Sequence, residues 1–363
     1  MDRVTKANRP TARGRGARTA ALLAVLCAAA SCSVSGPPPG GGRPGEPRRG
    51  PAPPSARQHG VALPSWSEGD YGGPRAGAYV ASIAAAGANW IQLNPTWYQD
   101  SPRDDGMHRT DETADDAGLR HIIGLARRAG LRVLLKPHVD LPGDQDRAAI
   151  RPRDRRRWYA AYTRLITHYA DLARETGADE LAVGTELAGL SGDRDPWLDV
   201  VAAVRARFRG TLVYAANYDE YEHVAFWDRL DLIGIDAYWP LASGPTTDVA
   251  QLRRAWQPIL RRVARFSADR GRPVLFTEAG YVSQRGSTAA PYAWDISTAD
   301  GAAEQAAAYE ALLASCGGLG WWAGVHWWMW DDWPDAAETP RSLSYSPHGK
   351  PAERVLRRWW RPG

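Results

Sequence analysis

Glu180-Leu181-Ala182-Val183-Gly184-Thr185-Glu186-Leu187 is an apolar run that ends on an acid, and Pro273-Val274-Leu275-Phe276-Thr277-Glu278-Ala279-Gly280 repeats the design. Each has the length of one buried strand and lies between longer segments with apolar residues at helical spacing. Working outward from these two, candidate strands fall at 61–66, 89–97, 132–139, 180–187, 212–218, 231–238, 273–280 and 324–330. Amphipathic helices are expected at 117–129, 155–175, 196–207, 248–269 and 302–316. Gly87, Gly130, Gly177, Gly210, Gly271 and Gly317 stand where helix C-termini favour a left-handed residue. Strand followed by helix, eight times over about 300 residues, predicts an α/β fold of one domain, a (β/α)8 TIM barrel. An open doubly wound sheet is the competing architecture, but no glycine-rich phosphate loop follows an early strand.

Parallel barrels place their chemistry at the C-terminal ends of the strands. Glu186 and Glu278 end the fourth and seventh candidate strands. A charge at the end of a buried strand is costly to desolvate unless a site uses it. Pairing with a nearby arginine accounts for one such glutamate as readily as catalysis does, but less readily for two. Glycoside hydrolysis needs such a pair: one carboxylic acid to protonate the leaving oxygen and one carboxylate facing the anomeric carbon.

The segments Trp90-Ile91-Gln92-Leu93-Asn94-Pro95-Thr96-Trp97-Tyr98-Gln99, Leu135-Lys136-Pro137-His138-Val139, Val183-Gly184-Thr185-Glu186-Leu187, Gly234-Ile235-Asp236-Ala237-Tyr238, Phe276-Thr277-Glu278-Ala279-Gly280-Tyr281 and Tyr345-Ser346-Pro347-His348-Gly349-Lys350-Pro351-Ala352 occur in that order. Together they resemble glycoside hydrolase family 113, a clan A barrel family, over nearly everything from residue 60 onward. The resemblance implies β-1,4-mannan hydrolysis with retention, Glu186 as general acid/base and Glu278 as nucleophile. Thr185 departs from the wider clan, in which asparagine commonly precedes the acid/base and contacts the sugar 2-hydroxyl. Asn217 is a candidate replacement for that contact.

Other rim residues suit a sugar. Tyr238 is placed to hydrogen-bond the nucleophile, and Lys136 and His138 to hold hydroxyls; a packed core tyrosine, and a structural role for one or both of the other two, are the competing readings. Seventeen tryptophans against four phenylalanines favour a carbohydrate cleft, since indole offers a flat apolar face and an N–H. Trp330, from the cluster Trp327-Trp328-Met329-Trp330-Asp331-Asp332-Trp333, is the expected floor of the cleaved subsite, with Trp97, Tyr98 and Trp239 as flanking platforms. Aromatic runs also build cores, so each platform competes with plain packing.

The N-terminus reads as an export signal. Arg3, Lys6, Arg9, Arg13, Arg15 and Arg18 precede an apolar run at 20–30, too short for a membrane span, and then Ala29-Ala30-Ser31-Cys32. That last segment resembles a bacterial lipobox, with Ala29 where leucine is usual, and marks Cys32 for lipidation. Residues 1–31 are thus a signal peptide and 32–56 a tether with 14 Pro or Gly in residues 33–56, leaving 57–363 for the barrel. Subtracting the leader's net +5 from the chain's +4 leaves −1, which removes the nucleic-acid signal. Cys27 leaves with the leader, so Cys32 and Cys316 are not expected to form a disulfide. The expected partners are a polysaccharide or oligosaccharide and a membrane reached through the lipid, in a monomer exported to the outer face of the cell membrane or otherwise secreted.

No cofactor or metal is expected. His138 and Asp140 at one strand end raise a metal hydrolase, but no HxH, HExxH or cysteine cluster accompanies them. A non-catalytic sugar-binding lipoprotein, a tethered structural barrel that binds a protein through its aromatics, and a hydrolase of another β-glycan are the alternatives.

Overall fold

A computed structural model of the protein describes residues 57–143, 145–330 and 343–360. The leader, Cys32, the tether, Asp331, Asp332 and Trp333 lie outside the described residues. Eight parallel strands close into a barrel: β1 (Gln58–Pro64), β2 (Trp90–Asn94), β4 (Arg132–Leu135), β6 (Glu180–Thr185), β7 (Thr211–Asn217), β8 (Leu232–Asp236), β9 (Val274–Ala279) and β10 (Trp322–Trp327). Round the barrel the order is β1-β10-β9-β8-β7-β6-β4-β2.

The expected runs 89–97 and 132–139 are each split. Their outer ends pair as a separate two-stranded ladder, β3 (Thr96–Tyr98) with β5 (His138–Asp140). Pro95 and Pro137 stand at the breaks, where the missing N–H interrupts the main ladder.

Helices α1 (Ala76–Ala85), α2 (Asp116–Arg128), α3 (Arg155–Thr176), α4 (Arg194–Arg205), α5 (Val249–Arg270), α6 (Ala302–Cys316) and α7 (Pro351–Trp360) form the outer layer. Asp115, Asp154 and Asp248 cap α2, α3 and α5 by accepting backbone N–H bonds in the first turn. Gly177 and Gly271 end α3 and α5 in the left-handed region. Gly210 and Gly317 depart from that expectation: Gly210 is not in the left-handed region, and Gly317 continues the right-handed conformation at φ −55°.

Strands buried on both faces divide their side chains between two cores. Val61, Ile91, Val133, Leu181, Val183, Ile233 and Phe276 pack outward with the helices, while Trp90, Leu134, Ala182, Val213, Leu232, Leu275 and Ala323 fill the barrel. One-residue irregularities interrupt two strands near their C-terminal ends. Between the pairs Ala182↔Val213 and Thr185↔Ala215, β6 carries one residue more than β7. Between Ile235↔Phe276 and Asp236↔Glu278, β9 carries one more than β8. Such bulges re-aim the side chains that follow. In β6 the bulge needs Gly184, because a Cβ there would stand 2.7 Å from the Tyr214 ring and 2.8 Å from Trp197.

Inside the barrel, Glu180 is fully buried; Gln58 Nε2 donates to its Oε2 at 2.8 Å, and Oε1 has no hydrogen-bond partner among the described residues. Burial pushes its carboxyl up to about 8 from 4.5. A proton kept by the folded state and lost by the unfolded one contributes stability that is full below about 4.5 and lost as pH rises through about 8. Thermal melts of wild type and Glu180→Gln should therefore diverge between pH 5 and 8, the variant gaining by about 1.4 kcal/mol per pH unit at most. Parallel melting profiles would show that Glu180 is ionised in the folded protein.

Candidate active site

Both bulges lead into the rim glutamates. Glu186 follows β6 at φ 52° and is the only non-glycine residue with positive φ among the described residues. A left-handed glutamate is strained, and such strain persists only where surrounding bonds fix it. Here Glu186 N donates to Ala215 O at 2.8 Å, and Leu187 N donates to the Tyr214 hydroxyl at 2.8 Å. Tyr214 in turn donates to Glu220 Oε1 at 2.7 Å. The Tyr162 hydroxyl, from α3, donates to Val183 O within the β6 bulge at 2.8 Å.

On β9 the bulge turns consecutive Thr277 and Glu278 toward Asp236. Thr277 Oγ1 donates to Asp236 Oδ1 at 2.7 Å. Lys136 Nζ donates to both Asp236 oxygens, at 3.0 and 3.1 Å, and to Glu278 Oε1. Tyr238 donates its hydroxyl to Glu278 Oε2 at 2.8 Å. His138 Nε2 lies 3.9 Å from Glu278 Oε1 and 3.0 Å from Asn94 Nδ2.

Across the site Arg147, on the loop after β5, bridges Asp140 at 2.6 Å and Glu186 Oε2 at 3.2 Å. Two cations, Lys136 and Arg147, thus face four carboxyl groups: Asp140, Glu186, Asp236 and Glu278. His138 adds no charge at neutral pH, because burial, with Arg147 and Lys136 beside it, holds its ring well below the usual imidazole range. The carboxyl groups therefore compete for protons. Burial, then the Asp236 and Glu278 charges, lift Glu186 well above the usual carboxylate range despite Arg147 and Lys136. Burial and Glu278 lift Asp236 to about 7 against the pull of Lys136. Lys136 itself stays charged, the Asp236 and Glu278 carboxylates outweighing the cost of its burial. Glu186 is the group best placed to carry a proton at neutral pH.

Several expected positions need correction. Lys136 is completely buried beneath the carboxylates, so it serves them rather than a sugar hydroxyl. Trp330 is not the floor of the cleft. The chain leaves the sheet after Trp327, alternation lapses, and Trp330 turns into the helix layer, donating Nε1–H to Ser82 on α1 at 3.0 Å. Trp328 faces the site instead, its ring 6.3 Å from that of His138 and 19° from parallel. Trp97 points outward from β3, donating to the Tyr169 hydroxyl of α3 under the Arg109 guanidinium. Trp239 likewise packs against Trp256 of α5 and Phe276. Neither is a cleft platform.

Tyr98, on the opposite face of β3 from Trp97, has its phenol pKa raised by burial and by Glu112 and Asp140, with Arg147 opposing. Asn217 ends β7 half-buried, level with Asp236, and its Oδ1 accepts the Tyr218 N–H at 2.7 Å. Thr185 points its hydroxyl to Pro137 O at 3.4 Å.

Sequence reading missed Asp236, Arg147 and Trp328 as site residues. Asp236 had a signal, an acid two residues before Tyr238 at a strand end, whereas Arg147 lies in a loop with no periodicity to place it. Among the described residues no three His, Cys, Asp or Glu side chains are grouped so as to hold a metal ion.

The backbone strain gives a direct expectation. Glycine normally costs about 0.5–1 kcal/mol relative to alanine in regular structure, but at a left-handed position the order reverses. Glu186→Gly should exceed Glu186→Ala in unfolding free energy by about 1 kcal/mol in matched denaturant titrations. An alanine variant as stable as the glycine one would remove the strain at Glu186.

The model of glycoside hydrolase family 113 matches residues 64–350. Among solved structures, the family 113 β-mannanase AaManA from Alicyclobacillus acidocaldarius, in complex with ManMIm, is 29% identical, with a TM-score of 0.75 over 84% of this chain and 97% of its own. Two structures of a family 113 β-1,4-mannanase are each 25% identical, with TM-scores of 0.73 and 0.75 over 84% of this chain and 99% of theirs. No curated protein matches the chain significantly. With the family matched over most of the barrel, the chain belongs to glycoside hydrolase family 113 and is a glycosidase.

Proposed function

We propose that the chain hydrolyses β-1,4-mannan with retention, using Glu186 as acid/base and Glu278 as nucleophile. The observation that carries this reading is the unequal environment of the two glutamates. Glu278 accepts from the Lys136 ammonium and the Tyr238 hydroxyl, one donor on each carboxylate oxygen, which fixes its position and orientation. Glu186 has a raised pKa that suits a general acid.

In the first step Glu186 gives its proton to the glycosidic oxygen while a Glu278 oxygen bonds to the anomeric carbon and the aglycone leaves. In the second, Glu186, now a carboxylate, takes a proton from water. The water oxygen displaces Glu278 and restores both groups. Mannan as the polymer is supported by the likeness to the β-mannanase and β-1,4-mannanase structures. Asn217 is retained as a candidate for the 2-hydroxyl contact, and Tyr98 and His138 as candidate sugar contacts.

Reducing-sugar release from β-mannan, glucomannan, xylan and β-glucan tests reaction and polymer together. Mannan should be cleaved, and Glu278→Gln should fold normally and lose at least about two orders of magnitude in turnover. Undiminished turnover in that variant would end the nucleophile assignment, and preference for xylan or β-glucan would replace the polymer.

A pH profile examines the acid. Activity should fall on the alkaline side as Glu186 loses its proton, and Arg147 draws that limb downward. Arg147→Gln should move the alkaline limb of kcat/KM to higher pH, because a cation beside Glu186 is gone and Asp140 loses its partner. A limb that stays in place would dissociate Arg147 from the acid.

A further inference from the structure

We propose that Trp66 and Trp294 form a second sugar-binding platform on the glycone side of the cleft, for the unit preceding the one that Glu278 attacks. The proposal rests on the retaining-glycosidase reading.

Three large apolar side chains are exposed among the described residues: Trp66 at 38%, Tyr292 at 54% and Trp294 at 54%. The two tryptophans come from different loops, after β1 and after β9, yet their rings meet edge to face at 6.4 Å. Each also meets Trp328 at 6.4 Å. Trp328 in turn stacks on His138, which is 3.9 Å from Glu278. An aromatic path therefore runs outward from the nucleophile to the surface.

Barrel order fixes the side of the cleft. Counting round the closed sheet, β6, which leads into Glu186, lies four strands from β10 in either direction. The aglycone leaves beside the acid, so the tryptophans on the opposite wall face the glycone. The three indole planes stand at 73°, 82° and 87° to one another and make a corner. Such a corner suits a pyranose, one indole face taking its apolar side and a neighbouring N–H edge reaching a hydroxyl.

The platform is held before any sugar arrives. Buried Gln284 donates to the carbonyls of Trp294 and Leu343, and its Oε1 accepts the N–H groups of Ile296 and Ser297. Tyr345 packs edge-on against Trp294 at 4.9 Å and donates to the Pro291 carbonyl. The Asp70 carboxylate accepts from Trp66 N and Ser65 Oγ. Two indoles fixed by their loops yet left half in water are arranged for a ligand rather than for the core. Energy gained at this remote unit can be spent in the transition state, so a second glycone sugar should raise turnover as well as affinity.

Aryl β-mannoside and aryl β-mannobioside with one leaving group isolate the effect, with the matching glucosides run alongside. Wild type should favour the bioside in kcat/KM, and Trp66→Ala or Trp294→Ala should cut that bioside-to-monoside ratio at least tenfold, while Trp66→Phe keeps most of it. A ratio unchanged within twofold in both alanine variants overturns the platform. If wild type hydrolyses none of the four glycosides, the retaining β-mannoside reading fails separately, and calorimetric titration with mannotetraose decides the platform. Tenfold weaker binding in the alanine variants upholds it, and binding equal to wild type overturns it.

Discussion

One ammonium group organises the site. Lys136 Nζ sits fully buried between the Asp236 and Glu278 carboxylates, joining β4, β8 and β9 at the mouth of the barrel. Removing the ammonium would leave two carboxylates in a medium that solvates them poorly, so Lys136 fixes the positions of both. The same contact sets the electrostatics. Each carboxylate near Lys136 raises the energy of ionising the next, and the excess of carboxyl groups over cations leaves Glu186 as the natural proton carrier. Where the proton resides is thus set by the charges around Glu186.

Geometry is stored in the two strands that carry the glutamates. Each has one residue more than a neighbouring strand near its C-terminal end, and each bulge precedes its glutamate. The extra residue in β9 lets Thr277 bond Asp236 while Glu278 shares Lys136 with it, and the one in β6 delivers Glu186 into a left-handed conformation held from Tyr214 and Ala215. Rigid strands, a local irregularity and a braced backbone give a precision that a free loop would not.

All eight barrel strands were legible because each is a short apolar run flanked by helical periodicity, and both rim glutamates because acids are conspicuous at such ends. Helix ends such as Gly177 and Gly271 followed from local chemistry, while Gly317 did not, its helix continuing without a left-handed turn. The aromatic platforms were less legible. Period-two alternation assigns a face only while the chain remains a strand, and it failed at Trp330 once β10 had ended at Trp327. Trp97 and Trp239 were misplaced because indole serves core and cleft equally, and only tertiary neighbours decide between them. Arg147 opens a single 3-10 turn capped by Asp146, too short to show a periodicity that would place it at the rim.

The barrel also has a direction. Arg57 enters β1 at the N-terminal face of the sheet, where its guanidinium donates to the Trp322 carbonyl at 2.8 Å, and the last helix returns there to stack Trp360 against His59 at 5.8 Å. Glu186, Glu278 and Trp328 all lie at or beyond the opposite ends of their strands. Both ends of the folded domain therefore lie away from the cleft. An enzyme coupled to a bead or electrode through a residue just ahead of Arg57 would hold its opening outward, accessible to polymers too large to diffuse beneath it.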